Sequence, residues 1–196
     1  AKVLMKNPRD YNARATIMWA SSLSHNGLTG CGRENYLAVH QLEHALSGEY
    51  DHVAHGAVLA VLYPAWAKYI YKHNEQRFAR FAREVWLVNE NDDKKACEKG
   101  IEEMSKYFEF LGMPTKIREF NVPENALEKL ALLCSNQKTT FVKSYIPLGY
   151  DEVKEIFESN GFEVIPSNTN FVFAKHPTVS GKYITNELRN RKILIR

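Results

Sequence analysis

Cysteine is scarce and scattered in this chain. Cys31, Cys97 and Cys134 are the only three, and none stands in a CxxC pair, which excludes a disulfide framework and a thiolate metal site and predicts free thiols in a reducing cytoplasm. Long apolar runs are also missing: none approaches the ~18 residues of a membrane span, and the opening AKVLMKNPRDYN has no apolar centre of the kind a signal peptide needs. A soluble cytoplasmic protein with no membrane partner is expected. Nor is there an excess of one charge. The formal net charge is +3, with Lys and Arg interspersed among Asp and Glu, so no nucleic-acid partner is implied. The glycine-rich stretch HNGLTGCG at residues 25–32 lacks both the Lys-Ser/Thr and the preceding strand of a phosphate-cradling loop, and reads as a connection between helices.

What is present is ordinary globular material, 196 residues with 44% hydrophobic and 25% charged, enough for one full core or two small ones. Helical periodicity dominates most of it. Pro8 opens a first helix whose Ala13, Ile17, Trp19 and Ala20 give an apolar face, expected to be a core helix ending near Ser24. Helices follow at about 36–47 and from about Ala54 to Ile70, the latter apolar nearly all round, with a kink or break expected near Tyr63 because Pro64 removes a donor. Residues 76–86 should turn Phe78, Phe81, Ala82 and Val85 inward and leave Arg77, Arg80 and Arg83 as a solvated face. Asn91-Asp92-Asp93 starts a helix that Gly112 closes, with Ala96, Ile101, Met104, Phe108 and Leu111 inward. Two more follow: one after Pro123 with Leu127, Leu130 and Leu133 on one side, and one capped by Asp151 that buries Val153, Ile156 and Phe157. Six or more helices with short connections predict a mainly α, bundle-like domain over residues 1–158.

The chemistry concentrates in HQLEHALSGEYDHVAHG, residues 40–56. His40 and His44, four apart, share one helical face. Gly48, Tyr50 and Asp51 can turn the chain so that His55, opening the next helix, converges on His40, which would supply half of a metal site. The same spacing also suits a semi-buried histidine pair flanked by Leu42 and Leu46 with no metal at all.

The string HQLEHALSG followed by DHVAHGAVLAVLYPAWAKY resembles the C-terminal, all-helical domain of the iron-containing alcohol dehydrogenases, in their butanol-dehydrogenase-like branch. The resemblance implies that His40 and His55 bind a divalent metal, Fe2+ or Zn2+, and that His44 lies near the nicotinamide of NAD(P) with a role in catalysis or proton transfer. His52 is not followed by Gly as the family's ligand is, and reads as a solvated loop residue. MWASSLSHNGLTGCG is similar to the segment forming the floor of the family's active-site cleft. A small alcohol or aldehyde substrate and a possible homo-oligomer are further implications. In the family an Asp and another His complete the metal's ligands and a separate α/β domain holds the dinucleotide. No Asp-x-x-x-His pattern supplies the first pair here, since Asp10 is followed at that spacing by Arg14, and residues 1–196 alone are expected to be inactive.

From about residue 160 the periodicity changes to β-β-α-β, giving an α/β tail over residues 159–196. GFEVIPSNTNFVFAKH and NELRNRKILIR resemble the C-terminal small domain of histidinol-phosphate aminotransferase, a pyridoxal-phosphate enzyme, which implies a substrate contact for Arg196. The Schiff-base lysine has no counterpart. A fusion, a chimera, a misassembled reading frame and an unrelated appendage all remain open for the tail. For the whole chain two readings stand: the catalytic helical half of a metal-dependent alcohol dehydrogenase, or a non-catalytic helical scaffold or interaction module.

Overall fold

A computed structural model of the chain describes residues 1–123 and 125–159. The expected tail, the domain boundary at 158/159 and Arg196 lie outside the described residues or at their edge. Eight α-helices run through the described part: α1 Lys2–Lys6, α2 Tyr11–His25, α3 Ala38–Glu49, α4 His55–Ile70, α5 Glu75–Trp86, α6 Asp93–Phe110, α7 Ala126–Cys134 and α8 Tyr150–Glu158. The only β pairing among the described residues is an isolated antiparallel bridge between Val142 and Leu148.

The centre is α4. It buries Val58, Ala60, Val61, Leu62, Ala65, Trp66, Ala67 and Ile70, and α3, α6 and α8 all pack on it. A helix apolar on most of its circumference has this fate, because each face it turns to water forfeits about 25 cal/mol per Å2. Pro64 does not break it. The helix runs unbroken from His55 to Ile70, because the residues around Pro64 are buried on several sides and their packing offsets the ~3 kcal/mol that an interior proline costs.

Helices α5 and α6 form a tight hairpin. Gly100 on α6 is buried against α5, and a Cβ placed there would stand 2.4 Å from Ala82 Cβ and 2.9 Å from Ala82 Cα. Only a residue without a side chain permits that approach. Arg83, expected as part of a solvated face, instead pins the connection between the two helices: its guanidinium donates to the carbonyls of Glu90 and Asn91 and pairs with Asp93 at 2.8 Å. Asp92 caps α6 by accepting from the Lys95 amide at 2.8 Å, and Gly112 follows with φ +75, the left-handed turn that ends many helices.

Several inward assignments are corrected. Val85 and Leu133 are exposed, since each sits at the margin of its helix's apolar face, which no other described element covers. Helix α8 is capped at Gly149, not Asp151; the Gly149 amide donates to Glu152 at 2.8 Å, which leaves Asp151 in the first turn. The largest correction is at the start. Pro8 lies in the turn between α1 and α2, Asp10 is the cap of α2 through the Ala13 amide at 2.8 Å, and α2 buries no residue at all. Ile17, Met18 and Trp19 are exposed, because no other described element covers that face.

Candidate metal and nicotinamide site

The site is built where α3 meets α4. Helix α3 turns a stripe of Val39, Leu42, Glu43 and Leu46 into the core, the i, i+3, i+4, i+7 pattern of a buried face. His40 and His44 sit at the edge of that stripe, with His40 partly buried and His44 largely exposed. A short loop returns the chain: the Val53 amide bonds to the Tyr50 carbonyl at 3.0 Å, and Val53 is buried. His55 is then delivered as the first residue of α4. Local spacing puts two imidazoles on one face, and the packing of α4 on α3 supplies the third.

The ring centroids of His40 and His55 are 5.3 Å apart, those of His44 and His55 6.0 Å, and those of His40 and His44 6.4 Å. Two imidazoles sharing one ion at metal–nitrogen distances of 2.0–2.1 Å and a tetrahedral angle have centroids about 5.2 Å apart. The His40–His55 separation matches that value, and the others exceed it. Burial lowers the His40 pKa below the ordinary imidazole value, and the neighbouring His55, His25 and His44 push in the same direction against Glu43. A neutral ring with a free lone pair at neutral pH is the form that ligates a metal.

His52 is elsewhere. Its Nε2 bonds to the Phe120 carbonyl at 2.8 Å, so it ties the α3–α4 loop to the turn at Ile117–Phe120. Asp10 is spent on capping α2 and Arg14 donates to the Pro8 carbonyl.

Two residues at the site escaped sequence reasoning. His25, the last residue of α2, stands edge-on to His40 with centroids 5.9 Å apart, and its Nδ1 is 2.7 Å from Ser24 Oγ. Its only signal was its place in the stretch similar to the cleft floor. Glu43 had a clearer one, a carboxylate at an inward position of an apolar stripe. Its side chain is completely buried, and its Oε2 lies 2.5 Å from His55 Nδ1 and 3.8 Å from His44 Nε2. Neither carboxylate oxygen is engaged in an aligned hydrogen bond.

Among the described residues, Glu43, His44 and His55 also form a triad whose donor atoms lie within 4.8 Å of one another. That triad is a poorer ion cage than the His40–His55 pair. The His55 nitrogen nearest Glu43 faces a carboxylate at contact distance, which leaves no room for an ion between them.

The sequence model described as Fe-containing alcohol dehydrogenase family, C-terminal, matches residues 1–161. The chain belongs to this family. It is 35% identical over 161 residues to NADH-dependent butanol dehydrogenase A of Clostridium acetobutylicum, a match covering 81% of this chain and 41% of that relative. The crystal structure of NADH-dependent butanol dehydrogenase A from Thermotoga maritima superposes with a TM-score of 0.74 at 30% identity, covering 81% of this chain and 42% of the other. The chain therefore spans about two fifths of the length of the family members it matches. A separate and shorter likeness, 48% identity over 46 residues, is to histidinol-phosphate aminotransferase of Chromohalobacter salexigens, covering 24% of this chain and 13% of that enzyme. Family membership agrees with the mainly helical fold expected from the sequence, and no described helix is long and apolar enough to cross a membrane.

Proposed function

We propose that these residues are the metal-binding helical part of an NAD(P)-linked alcohol dehydrogenase, interconverting a small alcohol and its aldehyde by hydride transfer. The observation that carries the reading is the His40–His55 separation of 5.3 Å in a member of a family described as iron-containing. In this reading His40 and His55 hold the divalent ion, Fe2+ or Zn2+. When bound, the ion supplies Lewis-acid polarisation of the substrate oxygen. His40 and His55 would orient the substrate oxygen by holding the ion between α3 and α4, and the exposed His44 would take up the alcohol proton.

Two imidazoles are fewer ligands than the three or more that catalytic ions usually have. Weak metal binding by residues 1–196 alone is the consequence. Turnover requires the cofactor and substrate in near-attack geometry, and the segment matched to the relatives is two fifths of their length. These residues by themselves should not oxidise alcohols.

The test is NADH or NADPH formation from butanol or propanol with added Fe2+ or Zn2+, using the chain alone and then mixed with a separately expressed N-terminal half of a related butanol dehydrogenase. Recovery only in the mixture, abolished by His55→Ala, is the expected result. Turnover by the chain alone, or recovery indifferent to His40→Ala and His55→Ala, would sink the assignment. A non-catalytic scaffold role is the reading left standing if no mixture restores activity.

A further inference from the structure

Glu43 has no use in the scheme above, yet it is the most unusual side chain in the core. It stands in the buried stripe of α3 between Leu42 and Leu46, completely sealed from water. A carboxylate is removed from water only against a group that compensates it. Among the described residues its Oε2 lies 2.5 Å from His55 Nδ1 and 3.8 Å from His44 Nε2, and neither oxygen has an aligned hydrogen-bond partner. Of the two rings His55 is the closer and the less exposed.

Proton placement follows from this contact. A carboxylate oxygen 2.5 Å from an imidazole nitrogen is repelled by a lone pair there and attracted by a hydrogen, so in neutral His55 the contact favours the tautomer with its hydrogen on Nδ1 and its lone pair on Nε2. A ring held so can ligate only through Nε2, on the edge away from Glu43. Carboxylates that fix a ligating histidine in this manner set both its orientation and its basicity.

We infer that Glu43 is a positioning residue for the metal centre: its buried carboxylate serves as the hydrogen-bond acceptor for the Nδ1–H of His55 and so presents Nε2 to the divalent ion. The inference rests on the metal reading given under Proposed function. It also explains why a charge occupies a core position on α3. A purely structural pin between α3 and α4 would hold the helices together equally well, but it would leave metal affinity and the choice of tautomer unaffected.

The test has two arms on the 196-residue chain. In the metal-free protein, long-range nitrogen-15 correlation spectra of the imidazoles read the tautomer directly: His55 carries its proton on Nδ1 in the wild type and relaxes to the mixed tautomers of free imidazole in Glu43→Ala. In Co2+ titrations followed by visible absorbance, Glu43→Ala weakens binding by about 10–100-fold, while Glu43→Gln, whose amide oxygen can still accept the Nδ1 proton, recovers most of the loss. An Nε2-protonated His55 in the wild type overturns the inference, as does a Glu43→Gln variant no better than Glu43→Ala, which would make Glu43 a direct ligand. The two failures separate cleanly. Wild-type Co2+ binding that needs His40 and His55 but ignores Glu43→Ala removes the positioning role alone, whereas Co2+ binding indifferent to His40→Ala and His55→Ala removes the metal reading itself.

Discussion

Helices α2 and α3 carry comparable apolar periodicity, yet α2 buries nothing and α3 buries five residues, one of them a carboxylate. The difference lies in their surroundings. Helix α3 packs on α4 and α7, while among the described residues α2 packs mainly on α1 and the turn at Leu28–Gly30 that follows it and meets α3 through the His25–His40 ring contact. Periodicity marks which face of a helix is apolar; a neighbour is needed to make that face a core. The histidine cluster lies at the junction of these two regimes, with His25 contributed by the uncovered helix and His40 by the packed one.

The sharpest way to break this contrast is a pair of truncations. Leu42→Ala, at a fully buried site on α3, should cost about 2–5 kcal/mol through lost burial and an unfilled cavity, while Ile17→Ala on α2 should change global stability by less than about 0.5 kcal/mol. Urea unfolding of both variants checks it, and equal losses would mean that α2 is covered after all. Next in size is the α5–α6 hairpin. Gly100→Ala would drive a methyl to 2.4 Å from Ala82 Cβ and should lose about 1–3 kcal/mol, whereas Gly48→Ala on α3, with nothing within 4 Å, should gain about 0.4–1 kcal/mol by rigidifying the unfolded chain.

A cap makes the comparison local. Asp10→Ala removes the acceptor for the Ala13 amide and should cost about 1 kcal/mol of helix stability. Since α2 has no core to share that loss, hydrogen exchange should speed up across Tyr11–His25 while exchange in α4 stays unchanged. Acceleration in both would show that the two regions fold as one unit. Leu87 offers a gain of similar size. It ends α5 at φ +57 and is exposed, so Leu87→Gly should stabilise by about 1 kcal/mol by relieving left-handed strain, read as a raised Tm.

The smallest effect is chemical. Burial pushes the Cys97 thiol up to about 11 and the Cys134 thiol up to about 12, while Cys31, in the turn after α2, is exposed. Deprotonation of the buried Cys97 and the partly buried Cys134 is therefore negligible at pH 8, and iodoacetamide should label Cys31 alone in the native protein, with the other two reacting only after unfolding. Native labelling of Cys134 at the same rate as Cys31 would place both regions in equal contact with solvent.

Much of this molecule was legible in the residue order. The helices at 38–49, 55–70, 75–86 and 93–110 follow from periodicity, from the Asp92 cap and from Gly112, because a helix is a local structure whose hydrogen bonds reach only four residues along the chain. The pairing of His40 with His44 is local in the same sense, and the turn residues Gly48, Tyr50 and Asp51 added the prospect of His55 joining them. The tertiary structure alone decided what touches what. That Arg83 would hold the α5–α6 connection, that Val85 and Leu133 would stay in solvent, and that α2 would go uncovered depended on where distant helices came to rest. So did the fate of Glu43. Its place on the inward stripe was written in the spacing of α3, but the His55 nitrogen against it comes from a helix beginning twelve residues later, and only the packing of α4 across α3 could bring that ring to a carboxyl group that water cannot reach.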